Sequence, residues 1–225
     1  MYYRQIVDKA DLSRSCKFVI ELIRSNSQVL EVGCATGYMT RELRNKGCGV
    51  TCVEIDRELA RQAKEFSKEM IIGDIEDSQT LKNINNQFDY ILFMDVLEHL
   101  RNPEAVLLAV KKYLKERGAV IVNIPNIAFY SSRLEIMKGR FDYQEYGLFD
   151  ATHLKFYTYK TSKELLINAG YKIARTVPFL YFPGQFKTEK IYILGRPLVK
   201  LMDFISHKYP NLFGFSFTYI ARPNP

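Results

Sequence analysis

The chain predicts an α/β fold: a Rossmann-like, doubly wound sheet of seven strands, mostly parallel with an antiparallel end strand, plus a helical insert after strand five. Three observations predict it. Short β-rich runs alternate with helix-compatible runs from residue 28 to residue 123, the spacing of a parallel sheet whose crossovers are helices. The first run, Val29-Leu30-Glu31-Val32, passes through a loop holding Gly33 and Gly37 into a helix-compatible run from Met39 to Lys46. That is the layout of a nucleotide-binding crossover. The fourth run, Phe88 to Asp95, reads as one apolar stretch, as expected of a central strand buried on both faces.

The remaining elements follow in order. Leu12, Cys16, Val19, Ile20 and Ile23 recur at helical spacing over residues 11–25, a stripe suited to covering a sheet edge and closing a pocket. Gly49 to Asp56 is a second strand ending in two carboxylates. In a doubly wound sheet an acid at that point reaches the ribose hydroxyls of a bound nucleoside, which fits Glu54, while Asp56 caps the helix through Ala60 and Ala63. Met70 to Glu76 is the third strand and its turn. Asn102-Pro103-Glu104 starts an amphipathic helix through Val106, Val110 and Leu114, and Gly118 to Asn123 is the fifth strand.

After Pro125 the pattern changes. Residues 126–158 are rich in Phe and Tyr with weak periodicity, and a long insert after a core strand usually carries function. A helix from Thr161 to Ala169, a strand from Tyr171 to Leu180, a basic amphipathic helix from Ile191 to His207 and a strand from Phe215 to Ala221 close the chain, with residues 222–225 as a frayed tail. The whole reads as a single domain, 1–225: an N-terminal helix (1–27), a cofactor-binding core (28–123), an acceptor-side insert (124–160) and C-terminal helices with the end hairpin (161–225).

A hydrophobic fraction of 47% with 25% charged residues is that of an ordinary globular protein. No uncharged apolar run reaches the roughly 18 residues of a membrane span, and the first residues lack the apolar core of a signal peptide. Cys16, Cys34, Cys48 and Cys52 form no C-x-x-C pair, so a reduced, cytoplasmic protein is expected. The charge is uneven. Residues 1–150 hold 21 Lys/Arg against 22 Asp/Glu, residues 151–225 hold 11 against 3, and the net charge is +7. The basic end suits an anionic acceptor, a membrane surface or nucleic acid as well as a plain solvated face.

The glycine loop is E-x-G-x-x-x-G and not G-x-G-x-x-G, because Ala35 stands where the second glycine would be. A pyrophosphate has little use for a carboxylate two residues before the first glycine; an ammonium or sulfonium ligand does. Glu31-Val-Gly33-Cys-Ala-Thr-Gly37 resembles motif I of the class I S-adenosylmethionine-dependent methyltransferases, whose members usually carry glycine at the position of Ala35. The resemblance implies S-adenosyl-L-methionine as cofactor, Glu54 as ribose ligand and Asp74 as partner of the adenine amino group. It implies a cofactor site of Glu31, Gly33, Cys34, Ala35, Gly37, Glu54, Ile55, Asp74, Ile75, Met94, Asp95 and Val96. Asp95-Val-Leu-Glu98-His99-Leu is similar to the ubiquinone-biosynthesis O-methyltransferases and to a bacterial and archaeal group linked to glycan modification. The pattern Gly-Arg-Phe-Asp-Tyr, then Gly-Leu-Phe-Asp-Ala-Thr-His153-Leu-Lys-Phe-Tyr-Thr, points to the glycan-linked group.

Methyl transfer from a sulfonium is an in-line displacement, and an oxygen acceptor also has to lose its proton. His99, just past strand four, and His153, in the insert, are the candidate bases. The expected acceptor is a hydroxyl on a sugar or small metabolite. A quinol or phenol, or an RNA 2′-hydroxyl, is the alternative, and a cofactor-sensing binding protein is the non-enzymatic one. Asp95, Glu98, His99 and His153 are also candidate ligands for a divalent cation, Mg²⁺ or Mn²⁺. Small-RNA 2′-O-methyltransferases resemble the chain here, with E-x-x-E-H where this sequence begins with Asp95.

Overall fold

The structure, a computed structural model, describes residues 13–180, 201 and 204–224. A seven-stranded sheet runs in the order β3-β2-β1-β4-β5-β7-β6. Its strands are β1 (Gln28–Val32), β2 (Gly49–Glu54), β3 (Glu69–Ile72), β4 (Phe88–Met94), β5 (Leu114–Pro125), β6 (Tyr171–Phe179) and β7 (Ser216–Pro223). The first five are parallel; β7 is the reversed strand, antiparallel to β5 on one side and to the edge strand β6 on the other. Among the helices of the described residues are α1 (Arg14–Leu22), α2 (Tyr38–Asn45), α3 (Arg57–Ala63), α4 (Ser78–Lys82), α5 (Pro103–Val110), α6 (Tyr130–Met137) and α7 (Tyr159–Asn168).

Successive residues of β4 show why the sheet is covered twice. Ile91 and Phe93 join one core, with Val106, Leu107 and Val110 of α5 and Leu165 and Leu166 of α7. Leu92 and Met94 join the other, with Val19 of α1 and Met39 and Leu43 of α2. Period-2 alternation places both sets inside, so the strand is buried on both faces from Ile91 to Met94. Asp56 caps α3 by accepting from the N–H groups of Glu58 and Leu59, as its position in the sequence suggested. Thr158 and Thr161 form a reciprocal capping box that starts α7 at Tyr159, two residues earlier than expected.

The structure corrects the sequence in two places. The helix expected to reach Leu114 ends at Val110; a 3₁₀ turn, Lys111–Tyr113, follows, and Leu114 already pairs with Phe88 as the first residue of β5. Apolar spacing could not separate the two states, because Leu114 is buried in either. Of the expected frayed tail, Arg222 and Pro223 are sheet, paired with Lys172 and Tyr171, and residue 225 lies outside the described residues. The insert carries a helix after strand five as expected, α6, and is irregular from residue 138 to the cap of α7. The basic helix expected over 191–207 lies largely outside the described residues; residues 204–208 are helical.

Candidate active site

At the carboxyl ends of β1, β2, β3 and β4 the chain encloses a cavity of about 800 Å³, the place where open α/β sheets bind ligands. Of the residues that the resemblance implied for a cofactor site, Gly33, Ala35, Glu54, Ile55, Asp74, Ile75, Met94, Asp95 and Val96 line it. Ser13, Tyr38, Leu59, Glu76, Leu100, Arg101, Thr152 and Leu154 line it too, and sequence reasoning missed these as site residues. The α1 stripe does border the pocket, through Cys16. Five carboxylates and one guanidinium edge the cavity, so its field favours a cation and opposes a pyrophosphate. A nucleoside carrying a sulfonium and an ammonium group fits that lining.

The glycine loop is built by backbone conformation. Gly33 has φ +72°, and a Cβ there would meet Val96 Cγ2 at 2.6 Å. Gly37 caps α2 with φ +80°, and a Cβ there would meet the Ala63 Cα at 2.8 Å. Ala35 is also left-handed, with φ +49°. Its N–H donates to Glu54 Oε2 at 2.8 Å, and the Asp56 N–H donates to Glu54 Oε1 at 3.0 Å. Each oxygen of Glu54 keeps a lone pair for hydroxyl donors from the cavity.

Glu31, Cys34 and Gly37 do not line the cavity. Glu31 is buried and accepts from the Thr40 hydroxyl at 2.7 Å, and Gly37 serves the contact with α3. Burial pushes the Glu31 carboxyl up to about 7, against the Thr40 bond and with a smaller push from Glu54. An unfolded carboxyl loses its proton near its ordinary value of 4.5, whereas this one holds it to about 7. Between those values the unfolded state binds fewer protons, so stability falls as pH rises, by up to about 3 kcal/mol. Glu31→Gln keeps an acceptor for Thr40 and removes the titration. Denaturant unfolding across that window should show the variant gaining on the wild type as pH rises, by about 1–3 kcal/mol at neutral pH.

The acceptor side begins where β4 ends. Asp95 takes φ +55°, which turns the chain sharply out of the strand and into a 3₁₀ turn, Leu97–His99. Its Oδ1 accepts from Asn123 Nδ2 at 2.6 Å, and Asn123 Oδ1 accepts from the Thr218 hydroxyl at 2.8 Å, so β4, β5 and β7 all fix this carboxylate. Burial pushes the Asp95 carboxyl upward and the bond from Asn123 opposes that, while Asp95 itself is exposed to the cavity.

His99 lines the same cavity. Its ring lies 4.8 Å from that of His153, edge to face. The insert reaches across to make this contact: the Leu154 and Lys155 N–H groups donate to the Glu98 carbonyl at 2.9 and 3.0 Å. Burial, and then His99, hold His153 below the usual histidine range, against an opposite pull from Asp150. His153 also packs on Phe156, which with Phe149 and Tyr143 surrounds Phe141.

Glu98 is 1% exposed, and neither carboxylate oxygen has a hydrogen-bond partner. Burial, reinforced by Asp95, pushes its carboxyl well above the ordinary range. One ligand atom each from Glu98, His99 and His153 lie within 4.8 Å of one another. Asp95 is not part of that group, so the expected set of four contracts to three. One carboxylate and two imidazoles suit Mn²⁺ or a later first-row ion better than Mg²⁺, which prefers oxygen.

A family model described as a methyltransferase domain matches residues 3–176. The ubiquinone biosynthesis O-methyltransferase of Rickettsia bellii is 26% identical over 117 residues, covering 48% of this chain and 49% of that protein. Its counterpart in Xylella fastidiosa is 27% identical over 121 residues, covering 52% and 49%. The chain thus spans about half the length of the curated relatives it matches. A SAM-dependent methyltransferase from Archaeoglobus fulgidus superposes with a TM-score of 0.66 at 18% identity, over 98% of this chain and 99% of that one. Magnesium protoporphyrin IX methyltransferase from Synechocystis, solved with S-adenosylhomocysteine, does so at 0.62 and 14%, over 99% and 93%. These structural likenesses show the fold, and the family match covers the cavity and all of its lining residues. The chain belongs to the methyltransferase domain family, as a class I S-adenosylmethionine-dependent methyltransferase.

Proposed function

We propose that the protein methylates a hydroxyl oxygen of a sugar or sugar-derived metabolite, with His99 or His153 as the general base, and that it works in the cytoplasm. The observation that carries this reading is the opening of the acid-edged cavity onto His99, with His153 at its side. When bound, the sulfonium cofactor supplies an activated methyl group. Glu54 and Asp74 would hold its nucleoside, and Asp95, fixed by Asn123, would take its cationic part. A histidine held below its usual range is neutral at neutral pH and ready to take a hydroxyl proton. Phe141 and Tyr143, exposed and linked to His153 through Phe156, offer faces on which a sugar ring can stack. The same faces would serve a quinol, and the curated relatives are named for ubiquinone biosynthesis.

Glu98 favours a second reading. A buried carboxylate with no partner calls for an ion or a proton, and a cation held by Glu98, His99 and His153 would bind and acidify the acceptor hydroxyl. Transfer of labelled methyl to a panel of sugars, quinols and RNA, with and without EDTA, separates these readings. Direct base catalysis predicts label on a sugar hydroxyl, no effect of EDTA, and kcat lower by about 10²–10⁴-fold in His99→Ala or His153→Ala. Activity lost to EDTA and restored by Mn²⁺ makes the histidines ligands. Label only on a quinol or on RNA removes the sugar.

A further inference from the structure

We infer that Asp150, acting through the Thr152 hydroxyl, is a positioning residue that holds His99 in the tautomer with its proton on Nδ1, leaving Nε2 as the lone-pair nitrogen. The hydrogen-bond directions require it. Asp150 is 3% exposed, and its Oδ1 accepts from the Thr152 N–H at 2.7 Å and from the Thr152 hydroxyl at 2.6 Å. A carboxylate only accepts, and a hydroxyl has one hydrogen, so Thr152 Oγ1 has only lone pairs left for other partners. His99 Nδ1 lies 3.0 Å from that oxygen and 3.2 Å from the Thr152 carbonyl oxygen, which also only accepts. Both neighbours therefore demand a hydrogen on Nδ1. The loop carrying Thr152 is tied down separately, through the bonds from Leu154 and Lys155 to the Glu98 carbonyl. A bare Nε2 is what a base needs to receive a proton, and equally what a ligand needs to hold a cation. The insert thus sets the chemical state of a histidine on the core of the sheet, 53 residues away in sequence.

The inference rests on the reading of His99 as an acceptor-side group, yet its test needs neither cofactor nor acceptor. The full chain, labelled with ¹⁵N-histidine and kept in EDTA at alkaline pH, is observed by long-range proton–nitrogen correlation, with His99 assigned from a His99→Asn variant. The expected wild-type pattern is a protonated Nδ1 and an unprotonated Nε2. Thr152→Val, nearly isosteric but without the hydroxyl, should lower the ratio of that tautomer to the other roughly three- to tenfold, the effect of one hydrogen bond. Thr152→Ser should restore it, and Asp150→Asn, whose carbonyl can take the same two bonds, should keep it. A wild-type His99 protonated on Nε2 overturns the inference, as does a Thr152→Val spectrum with the wild-type ratio. A wrong acceptor or an inert His99 would show in the transfer assay and leave these spectra unchanged.

Discussion

Gly37→Ala is expected to destabilise the protein by about 2–4 kcal/mol, the sum of a left-handed backbone forced on a residue with a Cβ and an overpacked contact. Gly37 sits at φ +80°, and the added carbon would lie 2.8 Å from the Ala63 Cα and 2.9 Å from its Cβ. Backbone cannot swing aside as a flexible side chain can, so α2 must move away from α3. Both helices start in the loops that flank Glu54, so the shift also opens the bond between the Ala35 N–H and Glu54. For a chain of this length the midpoint of thermal unfolding should fall by roughly 5–15 °C. A midpoint within a degree or two of wild type would mean that the two helices do not meet at Gly37.

Glu54→Ala is expected to weaken S-adenosylhomocysteine binding by roughly 1–3 kcal/mol, a factor of about 5–150. The carboxylate is 6% exposed and already accepts from two backbone N–H groups, which hold it rigid before any ligand arrives. Truncation removes the acceptor for the ribose hydroxyls and leaves the Ala35 and Asp56 N–H groups without their partner. Glu54→Gln retains one carbonyl oxygen and should fall between alanine and wild type. Calorimetric titration of the three proteins gives the order, and equal affinities would take Glu54 out of the cofactor site.

Much of this site was legible because it follows from local rules. Gly33 and Gly37 announce left-handed backbone, Glu54 ends the second strand, and Asp56 stands one turn before an apolar helix face. Glu31 shows how a local rule can be overlooked. In the strand register it pairs with Cys52 and Leu92, which lie in the core covered by α1 and α2. Alternation alone therefore turns Glu31 toward that core, where Thr40 meets it, and away from the cavity. The partners of His99 were illegible for another reason: no periodicity links Asp150 and Thr152 to a turn 53 residues earlier. Only the folded insert brings them together. The isolation of Glu98 is likewise a property of packing, since a carboxylate in a 3₁₀ turn reads from sequence as an ordinary helix-start residue.

Titration calorimetry of the wild-type chain with S-adenosylhomocysteine tests most directly whether the acid-edged cavity is a cofactor site. One molecule bound per chain, with an affinity that Glu54→Ala weakens, is the predicted result; no heat of binding at millimolar ligand from a folded protein would contradict it.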